Sequence, residues 1–246
     1  MLRTVAVPEN ADEVFAVQVE VFSDVVCPWC YIGKRRLEEA LSTFPHADEV
    51  TITYRSFQLD PTTPKDATGS VTEHLATKYG VSAAQAAAMQ ERVAGVAATV
   101  GLDFDMEHTQ SANTFDAHRL LHFAAEQGKQ AELKERLMQA YFTQGARVGD
   151  HAELVRLAGE VGLPTDRAAE VLASGEYADG VESDIALARG FGVSGVPFFV
   201  FDRTYGVSGA QETAVFTDVL DKAWAESHPL TVVGGGDACE GDSCAI

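Results

Sequence analysis

The chain has 246 residues, 46% of them hydrophobic, and a formal net charge of −19. This length and composition allow a sizeable core and suit one large domain or one domain with an insertion. The acidic excess disfavours nucleic-acid binding, which needs a basic surface. No apolar run reaches the roughly 18 residues of a membrane span. The segment Met1–Phe15 lacks the apolar stretch of a signal peptide, so we expect a cytoplasmic protein.

A strand, a helix and a second strand are predicted first. Residues 1–16 are predicted to be an irregular N-terminal arm. Val17–Phe22 has the β-branched alternation of a strand, and a helix should begin at Pro28, whose missing N–H costs nothing at a first helical position. Val50–Phe57 alternates in the same way. This order predicts a βαβ unit with parallel strands.

A long helical segment is predicted to follow the second strand. Residues 70–191 contain almost no strand-like sequence, and glycines mark the expected helix ends. The predicted helices are 71–79, 83–100, 114–126, 130–143, 151–161, 165–172 and 177–190. We therefore expect an all-helical insertion at 70–191 between two halves of a sheet domain, residues 17–69 and 192–228.

The sheet is predicted to resume after the helical segment. Gly195–Phe201 is strand-like, and Tyr205–Val207 can pair back with it as a short antiparallel strand. Gln211–Ala225 has the amphipathic pattern of a last helix. The second half of the domain is therefore predicted to have the order ββα.

Four cysteines fall into two pairs, Cys27/Cys30 and Cys239/Cys244. Without an export signal, paired cysteines favour redox chemistry or metal binding over a structural disulfide framework. The second pair lies in residues 229–246, which a glycine run predicts to be a flexible tail. These two cysteines are either incidental or a second dithiol that exchanges electrons with the first pair.

The predicted first helix places its two sulfurs unequally. Cys27 is expected at the N-cap, where unpaired backbone N–H groups and the helix macrodipole stabilise a thiolate. Cys30 is expected one turn further on, facing the core. An exposed thiol beside a shielded thiol suits reversible disulfide exchange, because the first attacks a substrate sulfur and the second resolves the mixed disulfide.

Four segments of the sequence resemble the DsbA family of thioredoxin-fold proteins, and within it the FrnE-like cytoplasmic branch. The segments are Phe22–Cys30, Phe57–Pro61, Asn113–Leu120 and Gly192–Asp202, the last followed by Ser208–Gln211. The resemblance implies an α/β thioredoxin fold with a large all-helical insertion. It also implies a thiol–disulfide oxidoreductase, with disulfide isomerisation open to the same two sulfurs. Such a protein acts on protein or low-molecular-weight thiols, with no cofactor and no metal.

The resemblance further implies which residues surround the sulfurs. The Val196–Pro197 peptide is expected to be cis and to lie beside the cysteines, where the adjoining backbone pairs with an extended substrate. Pro28 and Trp29 are expected to contact the substrate; alternatively, Trp29 only packs on the insertion. Trp29 stands where periplasmic members have His, so it brings no charge to Cys27.

Three further polar residues are candidates for the active-site face. Asp24 either caps the turn before the helix or relays protons for Cys30. His118 and His122 lie four apart on one predicted helix face, a spacing compatible with metal binding, but packing or hydrogen bonding is favoured because no third ligand is near in sequence. The resemblance places Asn113 and His118 near the active-site face.

Two other classes of function stay open. One is a glutathione-dependent isomerase or transferase of the hydroxychromene-carboxylate isomerase type, which typically has a single Ser or Cys at the helix start. Cys30 argues against it, because a resolving thiol would expel glutathione. The other is a non-enzymatic zinc-binding module, since the CxxC and CxxxxC pairs together supply four thiolates.

Overall fold

A computed structural model of the protein describes residues 17–228. The predicted arm at 1–16 and the predicted tail at 229–246, with Cys239 and Cys244, lie outside the described residues. The elements in chain order are β1 Val17–Ser23, α1 Pro28–Thr43, β2 Val50–Ser56, α2 Val71–Tyr79, α3 Ala83–Ala98, α4 Phe115–Glu126, α5 Gln130–Gln144, α6 His151–Glu160, α7 Thr165–Ala173, α8 Ala178–Gly190, β3 Phe198–Phe201, β4 Tyr205–Ser208 and α9 Thr213–Ser227.

The four strands form one sheet in the order β2-β1-β3-β4. β1 and β2 are parallel, with Val17 opposite Val50, which confirms the predicted βαβ unit. β3 runs antiparallel to β1, with Phe22 opposite Phe198, and β4 runs antiparallel to β3. This register places the end of β1 beside the start of β3. The turn that leads into α1 therefore lies next to Pro197.

All seven helices predicted between the second and third strands are present, with bounds within two residues of the prediction. Their ends follow local sequence rules. Ser82 and Gln85 form a capping box at the start of α3, and Asp150 accepts a backbone hydrogen bond at the start of α6. Over residues 17–228, every helix is too short or too polar to cross a bilayer.

The third strand begins later than predicted. The sequence suggested a strand from Gly195, whereas β3 starts at Phe198. Pro197 has no N–H to give to a neighbouring strand, so the ladder begins only after it. The residues just before β3 are therefore irregular and lie close to the start of α1.

Helix α1 is buried on two sides. Leu37 and Ala40 pack with Phe199 of β3 and with apolar residues of α9 in one cluster. Cys30 and Ile32 belong to a second cluster that they share with helices of the insertion segment. Burial of one such large apolar side chain contributes roughly 1.5–3 kcal/mol. The two-sided packing of α1 fixes its first turn where the sheet and the insertion helices meet.

Candidate active site

Cys27 is the N-cap residue of α1, and Pro28 is the first residue of the helix. The Cys27 carbonyl accepts a hydrogen bond from the Cys30 N–H at 3.0 Å, and the Cys27 side chain makes no capping hydrogen bond in the described part of the chain. The free N–H groups of the first turn and the positive end of the macrodipole therefore lie next to Cys27, as the sequence predicted. Both cysteines are free thiols.

Both cysteines are buried: Cys27 is 2% exposed and Cys30 is 3% exposed. The prediction that Cys30 is shielded is confirmed, whereas the prediction that Cys27 is exposed is wrong. Cys27 lines an apolar cavity of about 320 Å³, together with Trp29, Val196 and Phe142. Local helix geometry did not reveal this burial, because the side chains that enclose the sulfur come from distant parts of the chain.

The loop before β3 lies against Cys27. The Val196–Pro197 peptide bond is cis, and the Cys27 thiol donates a hydrogen bond to the Val196 carbonyl oxygen, with 3.6 Å between sulfur and oxygen. Gly33 of α1 packs on the same loop: a Cβ there would lie 3.2 Å from Pro197 Cγ and 3.0 Å from Phe199 Cζ. The absence of a side chain at Gly33 thus lets α1 approach this loop closely.

Asp24 and His118 form a buried pair beside the cavity. His118 Nε2 lies 3.2 Å from Asp24 Oδ1. The Asp24 carboxylate also accepts the N–H groups of Val25 at 2.8 Å and Leu59 at 2.7 Å. Burial raises the pKa of Asp24, but the hydrogen bonds from His118 and from the Leu59 N–H outweigh it, and the pKa lies below its ordinary value. Asp24 thus holds the turn; its role as a proton relay stays a prediction.

The two histidines predicted to share a helix face have separate partners. Burial lowers the pKa of His118 despite the opposing hydrogen bond to Asp24. A neutral imidazole that donates from Nε2 leaves Nδ1 as an acceptor, and His118 Nδ1 has no hydrogen-bond partner among the described residues. His122 Nε2 instead lies 3.1 Å from Ser56 Oγ and 3.1 Å from a carboxylate oxygen of Asp184. The packing interpretation of this pair therefore fits the structure.

Within the part of the chain that the structure describes, no group of three or more His, Cys, Asp or Glu side chains could hold a metal ion. The zinc alternative therefore depends on Cys239 and Cys244, which lie outside that part.

Asn113 does not line the cavity itself but contacts a residue that does. Its Nδ2 donates to the Thr63 carbonyl at 2.6 Å, and its Oδ1 accepts the Phe115 N–H at 3.0 Å. Thr63 lines the cavity, whereas Asn113 is absent from its lining. Asn113 therefore holds the loop after β2 against the start of α4, and any catalytic role for it stays a prediction.

Lys134 of α5 is a residue of this site that the sequence interpretation missed. Its side chain is buried, and its Nζ donates to the carbonyl of Ser23, the last residue of β1, at 3.4 Å. Burial lowers the pKa of Lys134 from 10.5 to about 8, against the opposing charges of Cys30 and Asp24. One sequence signal could have found it: Lys134 shares a helix stripe with Met138, so it occupies an apolar position.

Cys30 lies behind Cys27 as seen from the cavity. Burial raises the pKa of the Cys30 thiol, the hydrogen bond and charge of Cys27 raise it further, and the charge of Lys134 opposes both effects. The site thus combines one sulfur on a cavity wall, a second and protonated sulfur behind it, and a buried cation close to both.

Comparison with known proteins identifies the family. Residues 18–221 match the DSBA-like thioredoxin domain, so the chain belongs to this family. A probable DsbA oxidoreductase from Streptomyces coelicolor is similar in structure, with a TM-score of 0.83 and 44% identity over 94% of this chain and 99% of its own. The uncharacterised protein YwbO of Bacillus subtilis is 27% identical over 206 residues, which is 83% of this chain and 96% of YwbO.

A 2-hydroxychromene-2-carboxylate isomerase has the same fold. Its structure gives a TM-score of 0.65 at 14% identity, over 85% of this chain and 97% of its own. At that identity the likeness concerns the fold alone. Together, the family match and the sheet topology confirm the predicted α/β fold of DsbA-like thioredoxin type.

Proposed function

We propose that the protein is a thiol–disulfide oxidoreductase in which Cys27 attacks and Cys30 resolves. The observation that carries the proposal is the position of the Cys27 sulfur. It lies at the N-cap of α1, on the wall of a cavity and 3.6 Å from the Val196 carbonyl oxygen. A helix N-terminus stabilises the thiolate, and the thiolate is the attacking species in disulfide exchange.

The exchange has two steps. The Cys27 thiolate attacks one sulfur of a substrate disulfide, and the other substrate sulfur leaves as a thiolate. Cys30, as its thiolate, then attacks the Cys27 sulfur and releases the second substrate thiolate. Two electrons pass to the substrate, and the protein is left with a Cys27–Cys30 disulfide. The reverse sequence oxidises a substrate dithiol, and partial reversal isomerises a disulfide.

The second step requires that Cys30 lose its proton in a buried place. Burial disfavours the thiolate, and the ammonium of Lys134 offsets this effect as the charge forms. We assign proton relay to Asp24, because this buried acid belongs to the lining of the cavity that also includes Cys27. His118 is a positioning residue, since it acts through its hydrogen bond to Asp24.

Val196, Pro197, Pro28 and Trp29 are proposed to position the substrate. Trp29 supports this proposal, because it lines the cavity and is 41% exposed, which is more than expected for an aromatic that only packs on neighbouring helices. The partners would be protein or low-molecular-weight thiols in the cytoplasm, and no cofactor is proposed. Cys239 and Cys244 are proposed to pass electrons to or from the first pair.

The test is to equilibrate the full chain in a graded glutathione redox series and to count alkylated thiols by intact mass. The C239S/C244S variant isolates the first pair, and we expect Cys27 and Cys30 in this variant to titrate as one two-electron couple. Exchange between the pairs in the wild-type chain would support the relay. Two outcomes would overturn the proposal: one retained zinc per chain with no disulfide, or a stable adduct of glutathione on Cys27, which indicates the isomerase or transferase.

A further inference from the structure

We propose that the cavity at Cys27 binds an uncharged, apolar low-molecular-weight thiol or its disulfide as the substrate. This inference rests on the proposed function of Cys27 and Cys30 and adds a substrate class to it. It is carried by the size of the cavity, the depth of the sulfur and the chemistry of the lining.

The cavity has the size of a small-molecule site, and Cys27 is buried in its lining. The cavity measures about 320 Å³, and small-molecule sites commonly measure roughly 300–1,000 Å³. Cys27 belongs to the lining of this cavity and is only 2% exposed, so a disulfide has to enter the cavity to come near it. A small disulfide that enters the cavity brings its own sulfur to Cys27. A disulfide held in a folded protein would have to carry its bulky surroundings into the same space.

The wall and the rim of the cavity are mostly apolar. Val71 of α2 and Val93 of α3 belong to the wall. Three large hydrophobic side chains that line the cavity are strongly exposed: Trp29 at 41%, Leu59 at 44% and Tyr79 at 57%. They stand on three different segments. Exposed apolar groups that converge from separate segments mark a site that binds apolar ligands.

The charged side chains in the lining of the cavity are acidic. The lining includes Asp24 and Asp60 but neither Lys nor Arg, and all of the lining residues belong to the described part of the chain. A hydrogen bond from Thr62 lowers the pKa of Asp60 to about 2, so this carboxylate is ionised. The nearby basic groups are already paired with it, Lys78 at 3.1 Å and His74 at 3.5 Å. A ligand with free carboxylates, such as glutathione, would meet the carboxylates of Asp24 and Asp60 and no unpaired cation among the lining residues.

The exchange with such a ligand balances without a further reagent. For a symmetrical disulfide RS–SR, Cys27 forms the bond to one sulfur and the first RS⁻ leaves. Cys30 then forms the bond to Cys27, and the second RS⁻ leaves. The protein dithiol is oxidised to the disulfide, and the ligand is reduced by two electrons to two RSH after proton uptake.

The experiment compares two aromatic disulfides, one uncharged and one with two negative charges. Reduced C239S/C244S protein is mixed with uncharged 2,2′-dithiodipyridine or with dianionic 5,5′-dithiobis(2-nitrobenzoate), and the released thiol is followed by stopped flow. Each rate is divided by the rate of the same probe with 2-mercaptoethanol, which removes intrinsic reactivity. We expect the normalised rate of the uncharged probe to be larger by about tenfold or more.

Two variants test the cavity itself. Val93→Phe adds volume to the wall and should slow the uncharged probe by about tenfold, whereas Val215→Phe makes the same change at an exposed position of α9 and should leave the rate unchanged. Met89→Lys adds a cation to the lining and should speed the anionic probe by about threefold or more, which gives a second readout if Val93→Phe does not fold.

Three results would overturn the inference: equal normalised rates for the two probes, no effect of Val93→Phe in the folded variant, or faster exchange with an unfolded polypeptide disulfide than with the uncharged probe. The redox series separates this failure from that of the proposed function. If the Cys27–Cys30 couple forms there but the probes are not distinguished, only the substrate class is wrong.

Discussion

Replacement of Lys134 by Met should stabilise the protein at neutral pH. The ammonium is buried, and burial lowers its pKa from 10.5 to about 8, a difference that corresponds to about 3 kcal/mol against the charged folded state. Met has a similar length and carries no charge. The variant loses the hydrogen bond to Ser23, which contributes about 1 kcal/mol. The expected net gain in the free energy of unfolding is therefore about 2 kcal/mol at pH 7.

The gain should disappear at high pH. Between the folded pKa of about 8 and the unfolded value of 10.5, the unfolded wild-type chain binds more protons at Lys134 than the folded chain does. The titration of Lys134 therefore makes the wild type more stable as the pH rises through this window. Lys134→Met lacks this titration, so its stability does not gain from it. The advantage of the variant is thus full below about pH 8 and lost by about pH 10.5.

Urea unfolding of both reduced proteins at pH 7 and pH 10 measures this difference. Lys129→Met is a matched control, because Lys129 lies near the surface and, within residues 17–228, forms an ion pair with Glu132 alone. Its effect should stay within about 0.5 kcal/mol at both pH values. A Lys134→Met variant that is less stable than wild type at pH 7, or whose gain is the same at both pH values, would refute the reasoning.

Two other substitutions probe the packing of α1 and the buried pair. Gly33→Ala should lower the free energy of unfolding by about 1–3 kcal/mol, because the new Cβ would lie 3.0 Å from Phe199 Cζ. The control Gly95→Ala in α3 meets nothing within 4 Å and should stabilise by about 0.5–1 kcal/mol, so equal urea midpoints would contradict the account. His118→Phe should raise the pKa of Asp24, measured by carbon NMR of the carboxyl group, and cost about 3 kcal/mol at neutral pH. In the wild type, Asp24 stabilises the fold above its ordinary pKa, and this stabilisation is lost as the pH falls through the lowered pKa of the folded protein. If the loss of stability in His118→Phe did not depend on pH, the result would argue against the pair.

Much of the fold follows from short-range sequence rules. Pro28 sets the start of α1, and this places Cys27 at the N-cap from local geometry alone. The capping box of Ser82 and Gln85 sets the start of α3 in the same way. The parallel pairing of β1 and β2 follows from the length of the connection between them. The helix starts depend on residues that are neighbours in the sequence, and the strand pairing depends on the length of one connection.

The features that the sequence did not predict depend on distant contacts. The burial of Cys27 results from side chains of the insertion segment and of the loop before β3, which no local pattern relates to α1. Lys134 reaches the end of β1 from α5, and its position in an apolar stripe was the one indication of burial. The role of Asn113 as a support for the loop at Thr63 is likewise visible only in three dimensions.

The most direct test of the central claim is to trap the mixed disulfide. A Cys30→Ser variant that also carries C239S/C244S is mixed with one equivalent of 2,2′-dithiodipyridine, and the adduct is located by peptide mass spectrometry. We predict a stable adduct on Cys27 in this variant, and its rapid conversion to the Cys27–Cys30 disulfide when Cys30 is present. An adduct that persists with Cys30 present, or that forms on Cys30 in a Cys27→Ser variant at the same rate, would contradict the assignment of nucleophile and resolving thiol.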